Sequence, residues 1–445
     1  MGPDVASENR IVMGGLDNAL LMSPRRSVIS VSAREERSSI SVLAACAGAL
    51  FSSRTVFAMI SARWLNLGTE AGVLATFVCS MVLVVMASLA TVGNRKYSPR
   101  GTYRAPTFRW VMVYAAFSGC SLFWSASASP ASSALYWSGI VLDIVLVALM
   151  FRGCEPERAV HSLIKGFVVG TCALAAIAWA MPVSADLRLG DPDYFNTNQI
   201  GNLCALTILM CAWLASREDG MWKGIPFLLG ATLFRSLSKA TLVAFIVCQA
   251  YRLVLDRGMS RKRKALLVSC ALALTICFWG SLDAYYRVYT TNENQVETLT
   301  GRTTIWAWTL DAGLNKPWFG NGFDAMWRVM PPFGGDLFEA RHAENELLQQ
   351  FFAYGVCGLL LLAGVYGSLY LRIRSLPRGS ERSILTSFLI YVIVRGFAEA
   401  EPFDLLLPLW LTTALALLVQ GRQLRANAGI RTQHDRVKCA PVEAS

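Results

Sequence analysis

The chain has 445 residues, of which 54% are hydrophobic and only 16% charged, with a mean hydropathy of +0.43. A soluble domain carries nearer a quarter charged residues, so an ordinary water-soluble fold is excluded. Lys and Arg (41) outnumber Asp and Glu (30), giving a net charge of +11. The excess sits in clumps between long apolar runs, so it reports membrane topology and anionic lipid, not nucleic acid.

Residues 1–38 are polar and lack an apolar signal-peptide core, which predicts a cytoplasmic tail. About twelve membrane-spanning helices follow, each of about 20 residues. They are predicted near 39–60, 72–91, 109–125, 134–151, 160–181, 197–216, 223–237, 239–255, 265–282, 347–371, 384–400 and 404–420. Only RSLSK (235–239) separates the seventh from the eighth. The expected architecture is thus an all-α polytopic membrane protein. Spans one to nine fill 39–282, a large outer loop covers 283–346, spans ten to twelve fill 347–420, and 421–445 is a second cytoplasmic tail. The loops 94–109, 252–264 and 372–382 are dense in Lys and Arg, so they and both tails belong inside by the positive-inside rule. The 12 cysteines form no CxxC pair and no Cys/His cluster, so neither a disulfide framework nor a zinc site is expected.

A loop as long as 283–346 is usually functional or disordered. Trp306, Trp308, Trp318, Trp327 and Phe333 argue against disorder. TGRTTIWAWTLDAG (300–313) reads as a helix capped by Thr300 and ended by Gly313, with Pro317 as a stop. It is either an interfacial helix with an aromatic belt or a lid over a substrate. Polar segments converge on the same outer face. LRLGDPDYFNTNQIG brings Arg188, Asp191, Asp193, Asn196 and Asn198; RSLSKA brings Arg235 and Lys239; LTGRT brings Arg302; ARHAEN brings Arg341 and His342; FAEAEPFD brings Glu399, Glu401 and Asp404. Singly, such cations snorkel to the interface. Grouped, their forks match the oxygens of a lipid pyrophosphate. The DPD pair has a rival reading as a Mg²⁺ or Mn²⁺ site, against an ordinary Asp-Pro turn. Asn196 and Asn198 either cap span six or touch sugar, the cap being the simpler role. Arg54 and Arg395 lie inside spans one and eleven, where each pairs with Glu399 or Glu401 or meets an acidic lipid.

LTGRTTIWAWTLDAGLNKPWFGNGF, followed by RHAENELLQQFFAYGVCGLLLL, resembles the GR…W…P…GxG…HxxN…L…GxxGL pattern of the O-antigen ligase family. FWSASASP (123–130), the NTNQIG start of span six and LSKA add weaker agreement, and the likeness extends over most of 40–420. Two departures stand out. Lys239 replaces a common Arg, and Glu344 stands where many relatives carry a second histidine in HxHN.

The resemblance implies a metal-independent, cofactor-free, inverting glycosyltransferase of the GT-C type. Such an enzyme moves O-antigen en bloc from undecaprenyl pyrophosphate to a sugar hydroxyl of lipid A–core, at the periplasmic face of a Gram-negative inner membrane. On that reading His342 is the general base. If a helix continues through 341–350, Glu346 lies one turn away as its orienting carboxylate. Arg302, Arg188 and Lys239, with Arg235 and Arg341 nearby, hold the leaving pyrophosphate. Asn196, Asn198, Glu399 and Arg395 contact sugar or lipid. The alternatives are an O-antigen polymerase or a protein O-oligosaccharyltransferase using the same donor, and a transporter of lipid-linked glycan. A transporter predicts related halves, and no such symmetry is visible.

Overall fold

A computed structural model describes residues 24–92, 104–182, 188–190, 196–280 (apart from 219 and 257), 283–284, 287, 302–330 and 340–438. Among these the regular structure is helical. The longer helices are α1 (Pro24–Met59), α2 (Gly68–Val92), α3 (Pro106–Cys120), α4 (Pro130–Gly153), α5 (Pro156–Ala180), α6 (Thr197–Ala215), α7 (Ile225–Ser236), α8 (Lys239–Leu255) and α9 (Arg261–Cys277). They continue with α10 (Arg302–Leu314), the single turn α11 (Met326–Val329), α12 (Glu346–Arg374), α13 (Ser380–Gly396) and α14 (Leu409–Lys438). Proline opens α3, α4 and α5, where its missing N–H costs no helical bond.

Each predicted span falls on a helix. Among the described residues, six are long and apolar enough to cross a membrane: Ser39–Trp64, Gly68–Val92, Pro130–Gly153, Pro156–Ala180, Thr197–Ala215 and Glu346–Arg374. The other six predicted positions coincide with α3, α7, α8, α9, α13 and α14. α2 exposes Leu74, Val78, Met81, Val85 and Leu89 along its length. A stripe of that size would be an aggregation hazard in water and is the expected surface against lipid. The protein is therefore a polytopic helical membrane protein.

Where lipid surrounds the helices, burial against lipid gains little, and close packing becomes the attraction. α1 and α5 show how close that is. A Cβ built on Gly166 would lie 1.8 Å from the Ala45 carbonyl oxygen, and one on Gly48 would lie 1.9 Å from that of Leu163. Nearby, Arg54 of α1 meets Asp143 of α4 at 2.5 Å, and the Ser80 hydroxyl of α2 donates to the same carboxylate at 3.4 Å. Arg54 thus pairs with Asp143 and not with Glu399 or Glu401.

The helix directions give the bundle two unlike ends. At one, Arg217 and Arg422 both bridge Glu157 and Glu381, Arg425 adds Glu155, and Lys165 and His161 meet Glu218. Arg372 donates to Gln423 there at 2.9 Å. At the opposite end lie the start of α6, the α7–α8 junction, the start of α12 and the end of α13. Helices of this length separate the two ends by roughly 25–30 Å.

Two substitutions test this packing. Gly166→Val should cost about 1–3 kcal/mol by overpacking and lower the melting temperature in detergent. Gly367→Ala, with open space at its Cβ position, should leave it level or slightly raised. Arg54→Met should destabilise by about 3 kcal/mol because it strands a buried carboxylate, and Arg54→Met with Asp143→Leu should recover most of that loss.

Candidate active site

The site end is assembled by a break in α12. Gly355 sits at φ 64, ψ −152, a conformation that interrupts the helix and disfavours any side chain. Backbone groups freed by such a break must find partners, above all at membrane depth. Residues 317–322 supply them. Val356 and Cys357 donate to the carbonyls of Pro317 and Trp318 at 2.7 and 3.3 Å, while Asn321 and Gly322 donate to those of Phe352 and Ala353 at 2.9 and 2.8 Å. The PWFGNG and GxxG stretches are two halves of one backbone clasp. Residues 121–133, which contain FWSASASP, close it from the other side. Ala126 N–H donates to the Asn321 carbonyl, Ser121 Oγ accepts from Phe323 N–H at 3.0 Å, and Ser133 donates to Asp324 at 2.7 Å.

The clasp fixes α10 against α12 and so frames the 340–345 loop. Trp306 Nε1 donates to the Glu344 carbonyl at 3.3 Å. Asn345 caps α12 by accepting from Leu348 N–H at 3.1 Å, and its amide donates to the Phe397 carbonyl at 3.1 Å. Gln349 accepts from Ala343 N–H at 2.8 Å. Held this tightly, Glu344 adopts φ 51, a left-handed conformation uncommon for a side chain of its size.

Around that loop the charged residues link up. Arg302, at the start of α10, reaches Glu344 Oε2 at 3.1 Å and Glu399 Oε1 at 3.6 Å. Arg395, wholly buried, binds Glu399 at 2.9 Å and Glu401 at 3.7 Å, and its Nε donates to the Thr241 hydroxyl at 3.3 Å. Asn198 donates to Glu399 at 3.3 Å and accepts from Arg188 at 2.9 Å, while Arg188 Nε reaches the Ser236 carbonyl at 3.3 Å. Leu237 turns the chain through a left-handed conformation between α7 and α8. This turn puts Arg235 in the last turn of α7 and exposed Lys239 at the first residue of α8, within electrostatic reach of Arg188 and Arg302.

His342 lies in this company. Its Nδ1 accepts from Glu344 N–H at 3.4 Å and stands 3.8 Å from Glu344 Oε1. An acceptor Nδ1 leaves the ring proton of the neutral imidazole on Nε2. Burial, together with the neighbouring Glu399 carboxylate, pushes the Glu344 carboxyl well above the usual carboxylate range, with Arg302 pulling the other way.

The structure therefore brings together Arg188, Asn198, Arg302, His342, Arg395 and Glu399, with Lys239 and Arg235 at the adjoining junction. Asn196 is the α6 cap, accepting from Asn198 N–H at 2.8 Å. Two expectations are corrected. The helix begins at Glu346 and does not run through 341–350, and Glu346 turns inward to accept from Tyr366 OH at 2.8 Å and Leu406 N–H at 2.9 Å. The carboxylate beside His342 is Glu344. Arg341, exposed, stacks over the Trp327 ring at 5.9 Å. Asp191, Asp193 and Thr300 lie outside the described residues. In the sequence Glu344 stands out only as a departure from HxHN, a pattern that attaches no role to it.

A polytopic helical membrane protein with a cationic and carboxylate site at one end of its bundle is the class so defined. Comparison with known proteins makes it narrower. Residues 225–363, from α7 to the middle of α12, match the family model described as O-Antigen ligase. Over 352 residues the chain is 23% identical to the exopolysaccharide production protein ExoQ of Rhizobium meliloti, covering 71% of this chain and 77% of that protein. Over 244 residues it is 30% identical to an O-antigen ligase of Pseudomonas aeruginosa, covering 51% of this chain and 55% of that protein, so the match spans about half of the latter's length. Residues 225–363 are thus similar to the O-antigen ligase family. The matched segment contains Arg235, Lys239, Arg302, Arg341, His342 and Glu344, while Arg188, Asn198, Arg395 and Glu399 join the site from outside it.

The clasp predicts that Gly355→Ala lowers activity at least about tenfold, since misplacing a catalytic loop by an ångström carries such losses. Far-ultraviolet circular dichroism should stay unchanged, because only one residue's conformation is forbidden.

Proposed function

We propose that this protein is a glycosyltransferase that moves a glycan from a polyprenyl pyrophosphate carrier to a sugar hydroxyl at the outer face of a Gram-negative inner membrane. The donor is undecaprenyl-pyrophosphate-linked O-antigen and the acceptor lipid A–core. The fold is of the GT-C type with twelve spans and cytoplasmic termini. The observation that carries this reading is the group of Arg302, Arg188 and Lys239 beside the carboxylates of Glu344 and Glu399, at the end of the bundle opposite the Arg217, Arg422 and Arg425 cluster. If the latter cluster faces the cytoplasm, the site faces the periplasm.

The chemistry follows from two needs. The departing pyrophosphate gains negative charge, and preset guanidinium groups stabilise that charge most strongly where water is sparse. The acceptor hydroxyl needs a group to take its proton, and His342 and Glu344 are the two at hand. In the resting protein Arg302 is held by Glu344 and Glu399. Donor pyrophosphate would draw it away from them. Arg395, enclosed by Glu399, Glu401 and Thr241, is a structural anchor.

Similarity to a protein of exopolysaccharide production, over more of the chain at lower identity, favours as a second reading the polymerase that the sequence left open, in which the acceptor is another lipid-linked glycan and the product is a longer polymer. One assay separates the two. Purified protein is given undecaprenyl-pyrophosphate O-antigen with or without lipid A–core. Laddered lipopolysaccharide formed only with lipid A–core supports the ligase, and longer lipid-linked glycan formed from donor alone supports the polymerase. Arg302→Ala should lower either transfer at least about 100-fold. No transfer in either mixture would overturn the transferase reading.

A further inference from the structure

We infer that Glu344, rather than His342, is the group that accepts the proton of the acceptor hydroxyl, and that His342 serves as a hydrogen-bond donor through Nε2. The inference rests on the transferase reading above and assigns a catalytic residue within it.

Three observations converge. The first is the imidazole's orientation. With Glu344 N–H directed at Nδ1 at 3.4 Å, the lone pair at that nitrogen is engaged, and the neutral ring carries its proton on Nε2. Neither nitrogen is then placed to take a proton from outside, whereas Nε2–H can donate to the acceptor sugar or a phosphate oxygen.

The second is the care with which the fold places Glu344. Its backbone is held in a left-handed conformation, pinned by Trp306 through its carbonyl and by the Asn345 cap that follows. Backbone strain of this kind costs about 1–3 kcal/mol and persists where the surroundings over-determine it, commonly at active sites. Here it turns the side chain between Arg302 and Glu399, not away into solvent.

The third is the electrostatic setting. The charged groups facing Glu344 are Arg302 from α10, His342 from its own loop and Glu399 from the segment after α13, with Arg395 of α13 behind them. Arg395 is already matched to Glu399 and Glu401. The excess of carboxylate and the burial raise the proton affinity of Glu344, which makes it a stronger base than a solvated carboxylate. Transfer of Arg302 to donor pyrophosphate would raise it further.

The step balances without a co-reactant. The acceptor oxygen forms a bond to the anomeric carbon as its O–H bond breaks, and that proton passes to a Glu344 carboxylate oxygen. The bond from the anomeric carbon to the phosphate oxygen breaks, and its electron pair leaves with the polyprenyl pyrophosphate. Pyrophosphate is a weak base, so its departure needs the cations and no proton. The proton on Glu344, shared with Glu399, then returns to solvent.

The test is the pH dependence of transfer by the full-length protein in detergent or liposomes, with undecaprenyl-pyrophosphate glycan and the acceptor identified above. Wild type should lose activity as the pH falls from 8 to 6, because the base is then protonated. Glu344→Gln, which keeps size and removes the basic oxygen, should lose at least about 100-fold at every pH and show no such slope. Glu344→Asp should recover part of the rate together with the slope. His342→Gln, which keeps a donor, should lose about tenfold or less and keep the slope. Retention of both rate and slope by Glu344→Gln, with loss of the slope in His342→Gln, would overturn the inference and leave the transferase reading standing. No transfer by wild type would overturn both.

Discussion

Arg302 is the residue on which the site depends. It stands at the first turn of α10 and reaches two carboxylates that belong to different parts of the chain, Glu344 before α12 and Glu399 after α13. Through Glu399 the same network includes Arg395 in α13, Asn198 in α6 and Arg188 ahead of it. Charges at membrane depth are expensive unless they are paired or line a polar cavity. A network in which each member serves two neighbours meets that condition and fixes the ends of four helices in one register.

The clasp between residues 317–322 and the break in α12 does the mechanical part of the same task. A helix interrupted in a membrane must pass its backbone bonds to something else. Here those bonds go to the loop that follows α10, so the interruption positions α10 and with it Arg302 and Trp306. The charged network would be misaligned without the clasp. The clasp alone would frame an empty loop.

Much of the fold was legible in the sequence because membrane spans depend on local composition. Every apolar run became a helix, and RSLSK marked the α7–α8 break. The gathering of Arg188, Asn198, Lys239, Arg302, His342 and Glu399 at one end was legible too, since topology alone assigns their loops to one face. Individual partners were not. Arg302 and Glu344 are 42 residues apart, and nothing local announces their pairing. Glu346 was assigned to His342 by helical spacing, but the helix starts only at Glu346, where Asn345 caps it. Arg54 found Asp143 in α4, a long-range choice set by how α1 and α4 pack. Glu344 was visible as a substitution in a motif, yet its significance rests on a backbone conformation that no pattern reports.

The claim that Arg302 leaves its carboxylates for a donor pyrophosphate is tested most directly by equilibrium binding of undecaprenyl pyrophosphate to the purified protein. Wild type and Arg341→Ala should bind alike, because Arg341 rests on Trp327 outside the network. Arg302→Ala should bind at least about tenfold more weakly, the loss expected for one charge-assisted contact. Equal binding by wild type and Arg302→Ala, with weakened binding by Arg341→Ala, would place the pyrophosphate elsewhere and contradict the account.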